Sequence, residues 1–507
     1  MRILIVNPSH PSIGSRMPRE HLPPLGLLAI GGPLIDAGHD VFLLDADLGL
    51  LTPAELIERA VDYRPEAILI GHSGSTSAHP AVVHLTRALR KALPRAWIVY
   101  GGVFPTYHWR EILAREPQID VIVRGEGEAT APNLIAARAA GSPLSDLCGI
   151  AFREGGKITA TQAAPMIEDL DAVRIGWELI DFTRYTYWGG RRAAVVQLSR
   201  GCPHQCSYCG QRGFWTRWRH RDPRKVAAEI ARLHRNFGVE VFNIADENPT
   251  TSKRLWRSFL EALIAENVPV ALFATIRADD IVRDADILRL YKRAGMTRVL
   301  IGLDNTDETL LREIRKGGSV EKDREAIRLL RQNDILSMIS YVAGFAEESD
   351  IDYWRGLRRL AAYDPDLVQT FFATPHRWTP HAHNAAARRV IQPDLSKWDY
   401  KHQVLATLQV PAWRVFAWLK LIELTVQLRP RALLRLLGRR DGWPRRAMLW
   451  HFRVGRRVWT HEVSSFLFRD RRSTSGPTLE AFWGPSADRA EEAMRSDRPA
   501  GGSRVRR

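Results

Sequence analysis

The chain has 507 residues, 45% hydrophobic and 26% charged, which allows two or three domains with a sizeable core and argues against a disordered or low-complexity protein. No run approaches the roughly 18–20 uninterrupted apolar residues of a membrane-spanning helix, and the start, MRILIVNPSH, reads as a strand entering a loop. Four cysteines, three within eight residues, argue against a disulfide framework and for a reducing, cytoplasmic setting. The fourth, Cys148, stands in the apolar run LCGIAF and reads as a buried thiol.

The net charge of +16 is uneven: residues 401–507 hold 22 Lys+Arg against 9 Asp+Glu, and the first 400 hold 51 against 48. The basic character therefore belongs to a C-terminal region.

Residues 1–140 alternate strand and helix signals. Apolar runs resembling buried parallel strands lie at 3–6, 41–44, 67–70, 97–100 and 121–123, with amphipathic stretches such as 53–63 and 80–93 between them. The expectation is a doubly wound α/β domain of Rossmann or flavodoxin type, with ligands at the carboxyl ends of its strands. Residues 141–190 form a connector with a hairpin at Glu154-Gly155-Gly156. Residues 191–390 carry a second series, with strands near 194–198, 239–245, 270–275, 298–303, 336–343 and 367–373. Helical patterns at 223–236, 251–267 and 283–294 separate them. Six β/α units predict a partial (β/α)6 barrel with reactive groups at the strands' C-terminal ends. Residues 391–484 read as a basic, tryptophan-rich helical region, and 485–507 as a disordered tail.

The central motif is Cys202-Pro-His-Gln-Cys206-Ser-Tyr-Cys209, following the first barrel strand through Leu198-Ser199-Arg200-Gly201. Three thiolates fill three corners of an iron–sulfur cubane and leave one iron open to a chelating amine and carboxylate. A zinc site with His204 as fourth ligand, or plain surface thiols, is the other reading of the same residues.

The motif and its position resemble the radical S-adenosylmethionine (SAM) superfamily. The resemblance implies a [4Fe–4S] cluster on Cys202, Cys206 and Cys209, with SAM on the open iron and reduction yielding a 5′-deoxyadenosyl radical. It places Asp246 and Glu247, ending strand 239–245, at the SAM amino group; Asp246 could equally cap a helix. Arg277 would face the SAM carboxylate, or be a solvated arginine. Gly344 in Val342-Ala343-Gly344-Phe345 would pass the adenine, with Tyr208 packing nearby. Asp304 in Gly302-Leu303-Asp304-Asn305 stands where many members have a glutamate, one methylene longer, near the ribose.

The preceding domain resembles the cobalamin-binding subclass. Three loops carry the likeness: Gly71-His72-Ser73-Gly74-Ser75-Thr76, Gly101-Gly102-Val103-Phe104-Pro105-Thr106, and Gly125-Glu126-Gly127-Glu128. Glycines at strand ends let backbone amides approach a macrocycle or phosphate. No Asp-x-His-x-x-Gly motif is found, so the resemblance implies cobalamin without a protein histidine on cobalt. His72, His79, His84 and His108 read as surface or loop residues, and an α/β module that binds nothing is the alternative.

The segments Arg200-Gly-Cys-Pro through Glu229-Ile230, Ile244 through Thr250, Arg277 through Asp284, and Thr374-Pro375…Thr379-Pro380 resemble a narrower family, the anaerobic magnesium-protoporphyrin IX monomethyl ester oxidative cyclases of bacteriochlorophyll synthesis. The likeness covers residues 1 to about 390. It implies a tetrapyrrole substrate whose 13-propionate methyl ester side chain is oxidised, with oxygen from water, and closed into the isocyclic ring of chlorophylls. It further implies an external one-electron donor such as ferredoxin or flavodoxin. A cobalamin-dependent radical methylase acting on a lipid or natural product is the alternative, and a cobalamin-binding sensor module a more distant one. Trp215, Trp218, His376, His381 and His383 are candidate tetrapyrrole contacts; the histidines could hold magnesium or be solvated.

In AWRVFAWLKLIELTVQLR (412–429), Lys420, Glu423 and Gln427 share one face of an otherwise apolar helix, and arginine pairs follow. The expectation is a helical cap on the barrel, with contact to the inner face of an anionic membrane as an addition and no nucleic-acid partner.

Overall fold

The computed structural model describes residues 1–9, 20–48, 51–72, 76–211, 213–438, 442–470, 472–473 and 476–484. Ser73 and Ser75, Arg439 and Arg440, and the tail from 485 lie outside the described residues.

The first half builds β1 (Arg2–Asn7), α1 (Leu25–Asp36), β2 (Asp40–Asp45), α2 (Pro53–Tyr63), β3 (Ala67–Ile70), α3 (His79–Ala92), β4 (Trp97–Gly101), α4 (Val103–Arg115), β5 (Val121–Val123) and α5 (Gly127–Ala140). The five strands are parallel in the order β2-β1-β3-β4-β5, the flavodoxin-like winding. The apolar runs of β1, β3, β4 and β5 are buried because helices cover both faces of a parallel sheet, while the edge strand β2 leaves Phe42 exposed. Local chemistry sets the helix starts: Thr52 and Glu55 form a capping box ahead of Pro53.

The connector divides between the two sheets. β6 (Ile150–Glu154) and β7 (Lys157–Ala160) form the expected hairpin, but β6 pairs antiparallel with β5, so the first sheet extends to residue 160 rather than ending at 140. A short link after α5, holding only one 3-10 turn at Leu144–Asp146, lets the chain fold back on its own edge strand, which a boundary drawn from β/α alternation misses. Cys148 is exposed, contrary to expectation, because burial begins only at Gly149 and Ile150 as the strand enters the sheet. β8 (Thr186–Tyr187) pairs antiparallel at the edge of the second sheet.

That sheet contains β9 (Arg191–Val196), β12 (Val241–Ile244), β13 (Ala271–Ile276), β14 (Met296–Asp304), β15 (Leu336–Ala343) and β16 (Leu367–Phe372), all parallel and in chain order. β16 and β9 lie at opposite ends of this row, so the barrel is open. A two-stranded ribbon, β10 (Ser199–Arg200) with β11 (Arg219–His220), brackets the cysteine loop. The crossovers are α6 (Pro223–Phe237), α7 (Lys253–Glu266), α8 (Ala278–Arg283) with α9 (Leu288–Arg293), α10 (Glu308–Glu313) with α11 (Val320–Gln332), and α12 (Asp350–Tyr363). The stretch 283–294, read as one helix, is broken at Asp284, whose buried carboxylate accepts from Arg283 Nε and Tyr291 Oη, both at 2.7 Å.

The C-terminal region holds α13 (Pro380–Asn384), α14 (Ala412–Gln427), α15 (Pro430–Gly438), α16 (Trp443–Phe468) and α17 (Leu479–Trp483). α14 packs on α12 and β16, α16 reaches β14, and Phe416 stacks on Phe466 at 4.0 Å, so these helices cap the open side of the barrel. No helix among the described residues is long and apolar enough to cross a membrane.

α14 buries Val415, Phe416, Leu419, Ile422 and Val426, and buries two charged residues among them. Lys420 and Glu423 are each only 7% exposed, with Lys420 Nζ 2.6 Å from Glu423 and 2.5 Å from Glu462 of α16. Breaking such a buried group by removing one partner strands charge in low dielectric. Lys420→Met is therefore expected to cost about 3–5 kcal/mol in urea unfolding, and the apolar triple Lys420→Met/Glu423→Leu/Glu462→Leu to recover most of that loss.

Candidate cofactor site at the barrel mouth

The cysteine loop leaves β9 through a turn that only glycine allows. Gly201 has φ +87°, and a Cβ there would lie 2.4 Å from the Arg217 carbonyl oxygen. Cys202, Cys206 and Cys209 are half-buried on one loop and form no disulfide. Its interior is pinned by Ser207 N–H to the Ile314 carbonyl at 2.8 Å and by His381 N–H to the Ser207 carbonyl at 3.0 Å. Burial raises the Cys202 thiol and pushes Cys209 up to about 11. Among the described residues, no three Cys, His, Asp or Glu side chains are gathered around a single-ion site. Three soft donors on one partly exposed loop fit three corners of a cluster, which spans more space than one ion.

The two residues ending β12 do different work. Asp246 directs both oxygens at the β9 exit, accepting from Leu198 N–H at 2.8 Å and from Ser199 N–H and Oγ at 2.5 Å. Burial lifts its carboxyl to about 7. Glu247 accepts from Gly201 N–H at 3.1 Å, and desolvation, with the neighbouring Asp246 adding to it, raises its carboxyl to about 8.

The loop is also clamped from the first domain. Arg200 reaches Glu126 at 3.1 Å and Glu128 at 2.6 Å, while Arg219 holds Glu126 at 2.8 and 2.9 Å. All four side chains are buried. Burial works against the Glu126 charge, but Arg219 and Arg200 hold its carboxyl below the ordinary range. Glu126 and Glu128, read from sequence as part of a cobalamin-contacting loop, thus have their carboxylates committed to an interdomain clasp. Both arginines flank the cysteines in sequence, but only the fold reveals their partners.

On the far side, Asp304 has φ +68° and is buried. It accepts from the Tyr208 hydroxyl and Ser340 Oγ and pairs with Lys316. Burial alone would raise its carboxyl, but Lys316 holds it below the usual 3.8. The shorter acid therefore fixes Tyr208 and Lys316. Arg277 bonds Asp279 at 3.0 Å and the Lys316 and Gly317 carbonyls at 2.9 and 3.0 Å, and lines a small cleft with Lys316, Lys322 and Asp323. Lys316 was not foreseen; the only signal is the Gly317-Gly318 turn beside it. Glu348 was also missed. It accepts from Gly344 N–H at 2.7 Å and Phe345 N–H at 2.9 Å, setting the turn where Gly344 has φ +86°.

Three N-terminal loops gather at the ends of neighbouring strands β3, β4 and β5. Gly102 has φ +117°, with its Cβ position 3.7 Å from the His72 carbonyl. Gly125 N–H donates to Thr106 Oγ1 at 3.0 Å, and Thr106 donates to the Gly102 carbonyl at 2.7 Å, joining the Gly101-Gly102-Val103 and Gly125–Gly127 turns. Backbone grouped in this way suits a flat ligand's edge or a phosphate.

The barrel loop 374–380 closes onto both parts. His376 is fully buried between Thr76 Oγ1 at 2.9 Å and Tyr400 Oη at 2.6 Å, and Trp378 donates to the Gly210 carbonyl at 2.8 Å while stacking on Tyr107 at 5.0 Å. His381 is buried and His383 exposed. His108, expected at the surface, is buried between Phe104 and Trp483 at 4.2 and 5.4 Å, because α17 returns to cover it. Trp215 lies under the Arg200 guanidinium at 5.7 Å, and Trp218 packs on His220 at 5.3 Å.

Family models agree with this layout: residues 196–359 match the radical SAM superfamily and residues 18–135 the B12 binding domain. Among solved structures, the radical S-adenosylmethionine methyltransferase TsrM from Kitasatospora setae aligns with a TM-score of 0.65 at 17% identity, covering 92% of this chain and 98% of that one. The cobalamin-dependent S-adenosylmethionine radical enzyme OxsB aligns with a TM-score of 0.65 at 16% identity, covering 98% and 74%. Fold and site together define a radical SAM protein with a B12-binding domain in front. The anaerobic magnesium-protoporphyrin IX monomethyl ester cyclase of Synechocystis sp. is 58% identical over 97% of this chain and 98% of its own length. The cyclase of that name from Cereibacter sphaeroides is 33% identical over 75% of this chain and 63% of its own, and the hopanoid C-3 methylase of Methylococcus capsulatus 25% identical over 80% and 76%. The chain belongs to the anaerobic magnesium-protoporphyrin IX monomethyl ester cyclase family.

Two outcomes follow from the geometry. Asp304→Asn keeps the left-handed backbone that asparagine tolerates but strands the Lys316 ammonium, costing about 3–5 kcal/mol at neutral pH; adding Lys316→Met restores part of it. Because the folded carboxyl lies below 3.8, its contribution is complete above that value and lost as pH falls through the folded pKa. The variant's urea midpoint should therefore fall less steeply on acidification than the native one. Arg200→Met, leaving Glu128 without its cation, should lower the iron and sulfide taken up on anaerobic reconstitution, measured by metal analysis.

Proposed function

We propose that this chain is an anaerobic radical SAM oxidative cyclase that forms the isocyclic fifth ring of chlorophylls from magnesium-protoporphyrin IX 13-monomethyl ester. The observation that carries this reading is 58% identity to a cyclase over nearly the whole chain, beside this chain's own three-cysteine loop and its matches to both domain models. Cys202, Cys206 and Cys209 would hold a [4Fe–4S] cluster, the N-terminal strand-end loops would hold cobalamin, and SAM would lie between Glu247 and Gly344. Bound and reduced, the cluster and SAM supply a radical able to abstract hydrogen from an unactivated C–H bond without oxygen.

The chain's own residues prepare that chemistry. Glu247, half-buried and with its carboxyl raised by desolvation, suits the SAM ammonium, whose arrival would let it ionise. Arg277 supplies the cation for a carboxylate beside the cysteine loop. Tyr208, locked by its hydroxyl on Asp304, presents a fixed ring to the adenine, and the turn held by Glu348 keeps the Gly344 backbone open to it. Asp246 does not meet the ligand in this scheme: it holds the β9 exit from which the cysteine loop springs. The loop 374–380, packed on both the first domain and Gly210, shields the junction from water. Electrons would come from an external one-electron donor such as ferredoxin or flavodoxin.

Anaerobically reconstituted protein given cobalamin, SAM, a reductant and magnesium-protoporphyrin monomethyl ester should yield the ring-closed product, read by absorbance and mass. Alanine at any of the three cysteines should abolish it. SAM consumption with a methylated product and no ring closure would replace the cyclase reading with a methylase one.

A further inference from the structure

The exposed apolar side chains are not scattered. Of the fifteen large hydrophobics exposed among the described residues, twelve lie between Ile351 and Phe468, on or beside α12 and the C-terminal helices. On α14, Trp413, Leu421 and Leu424, with Leu428 just past its end, recur at the spacing of one helical face, and Trp413 is 60% exposed. α15 continues with Leu434 and Leu437, at 66% and 76%. Isolated exposed leucines need no explanation, but a continuous row does.

The charges on these helices are as lopsided as the apolar groups. Among the described residues of α14, α15 and α16 the only carboxylates are Glu423 and Glu462, and both are buried with Lys420. The exposed charges are arginines: Arg431, Arg446, Arg453, Arg456 and Arg457. These helices bury one apolar face, with Val415, Leu419, Ile422 and Val426 inside, and leave a second apolar row facing out beside the arginines. Leucine and tryptophan flanked by arginine, with no exposed acid among the described residues of α14, α15 and α16 and the nearby Asp350 paired with Arg414, match a surface that is apolar just beneath an anionic layer.

We propose that the outer face of α14–α16 docks on the surface of an anionic lipid bilayer, without crossing it. The proposal is independent of the cyclase reading, since it rests on the cap alone. It gives the face one occupant, a membrane, rather than a second copy of the chain or an acidic protein.

The test uses the full-length reconstituted protein in flotation with vesicles of phosphatidylcholine alone or mixed with phosphatidylglycerol. The protein is expected to float with the mixed vesicles, less with the neutral ones, and less again as salt is raised. Leu421→Ser/Leu424→Ser/Leu434→Ser/Leu437→Ser should lower partition by at least about tenfold. Arg446→Gln/Arg453→Gln/Arg456→Gln should remove the preference for phosphatidylglycerol, about fivefold per charge. Matching urea midpoints and iron contents confirm that the variants fold. Should the quadruple variant not fold, Leu434→Ser/Leu437→Ser, at the most exposed of these positions, carries the same comparison. Protein that stays in the aqueous phase with phosphatidylglycerol vesicles, or serine variants that float unchanged, would overturn the proposal. So would a native dimer that the serine variants convert to monomer without any vesicle binding.

Discussion

The buried clasp between Glu126, Glu128, Arg200 and Arg219 joins the two halves of the molecule at the point where the cysteine loop begins. A loop carrying three thiols has no regular hydrogen bonding of its own. Its exit from β9 must therefore be held from outside, by Asp246 beneath and by the clasp above. Charges this deeply buried are tolerable only when each has its partner. The first domain is consequently part of the cysteine loop's support, and the loops that could face a corrin are fixed relative to the thiols by the same ion pairs.

Around the barrel mouth, five of the six parallel strands each deliver a group at the carboxyl end: the cysteines after β9, Glu247 after β12, Arg277 after β13, Asp304 at the end of β14 and Gly344 after β15. Convergence follows from the parallel twist, which turns successive strand ends toward one axis. Supporting residues then tune each group. Lys316 keeps Asp304 ionised, Asp304 fixes Tyr208, and Glu348 sets the Gly344 turn. Loop 374–380 locks the arrangement by packing against Thr76, Tyr107 and Gly210 at once.

The open barrel leaves an edge that must be covered. α14 covers it by packing on β16, α16 packs on α15 and β14, and burying Lys420, Glu423 and Glu462 in one ion-pair cluster leaves leucine and arginine outside. This trade links the stability of the cap to the character of its outer surface, since the lysine and glutamates that would have made α14 soluble are occupied inside.

The amino-acid sequence by itself determined the two β/α series, the six-strand partial barrel and the position of the cysteine loop after its first strand, but not Lys316, Glu348 or the strands added to the first sheet. It could do so because β/α alternation and the cysteine spacing are local patterns, readable within a few residues. The family resemblance rested on the same local motifs. Partnerships across long sequence separations were decided only by the tertiary structure. Nothing in Gly-Glu-Gly-Glu announces that Glu126 meets Arg200 and Arg219, and nothing near Asp304 names Lys316. The hairpin at 150–160 joined the first sheet because β5 offered it a free edge. Lys420 and Glu423 turned inward because Glu462, 39 residues beyond Glu423, waits on the facing helix. Burial and pairing belong to the packed whole, where a side chain's environment is set by whichever segment folds against it.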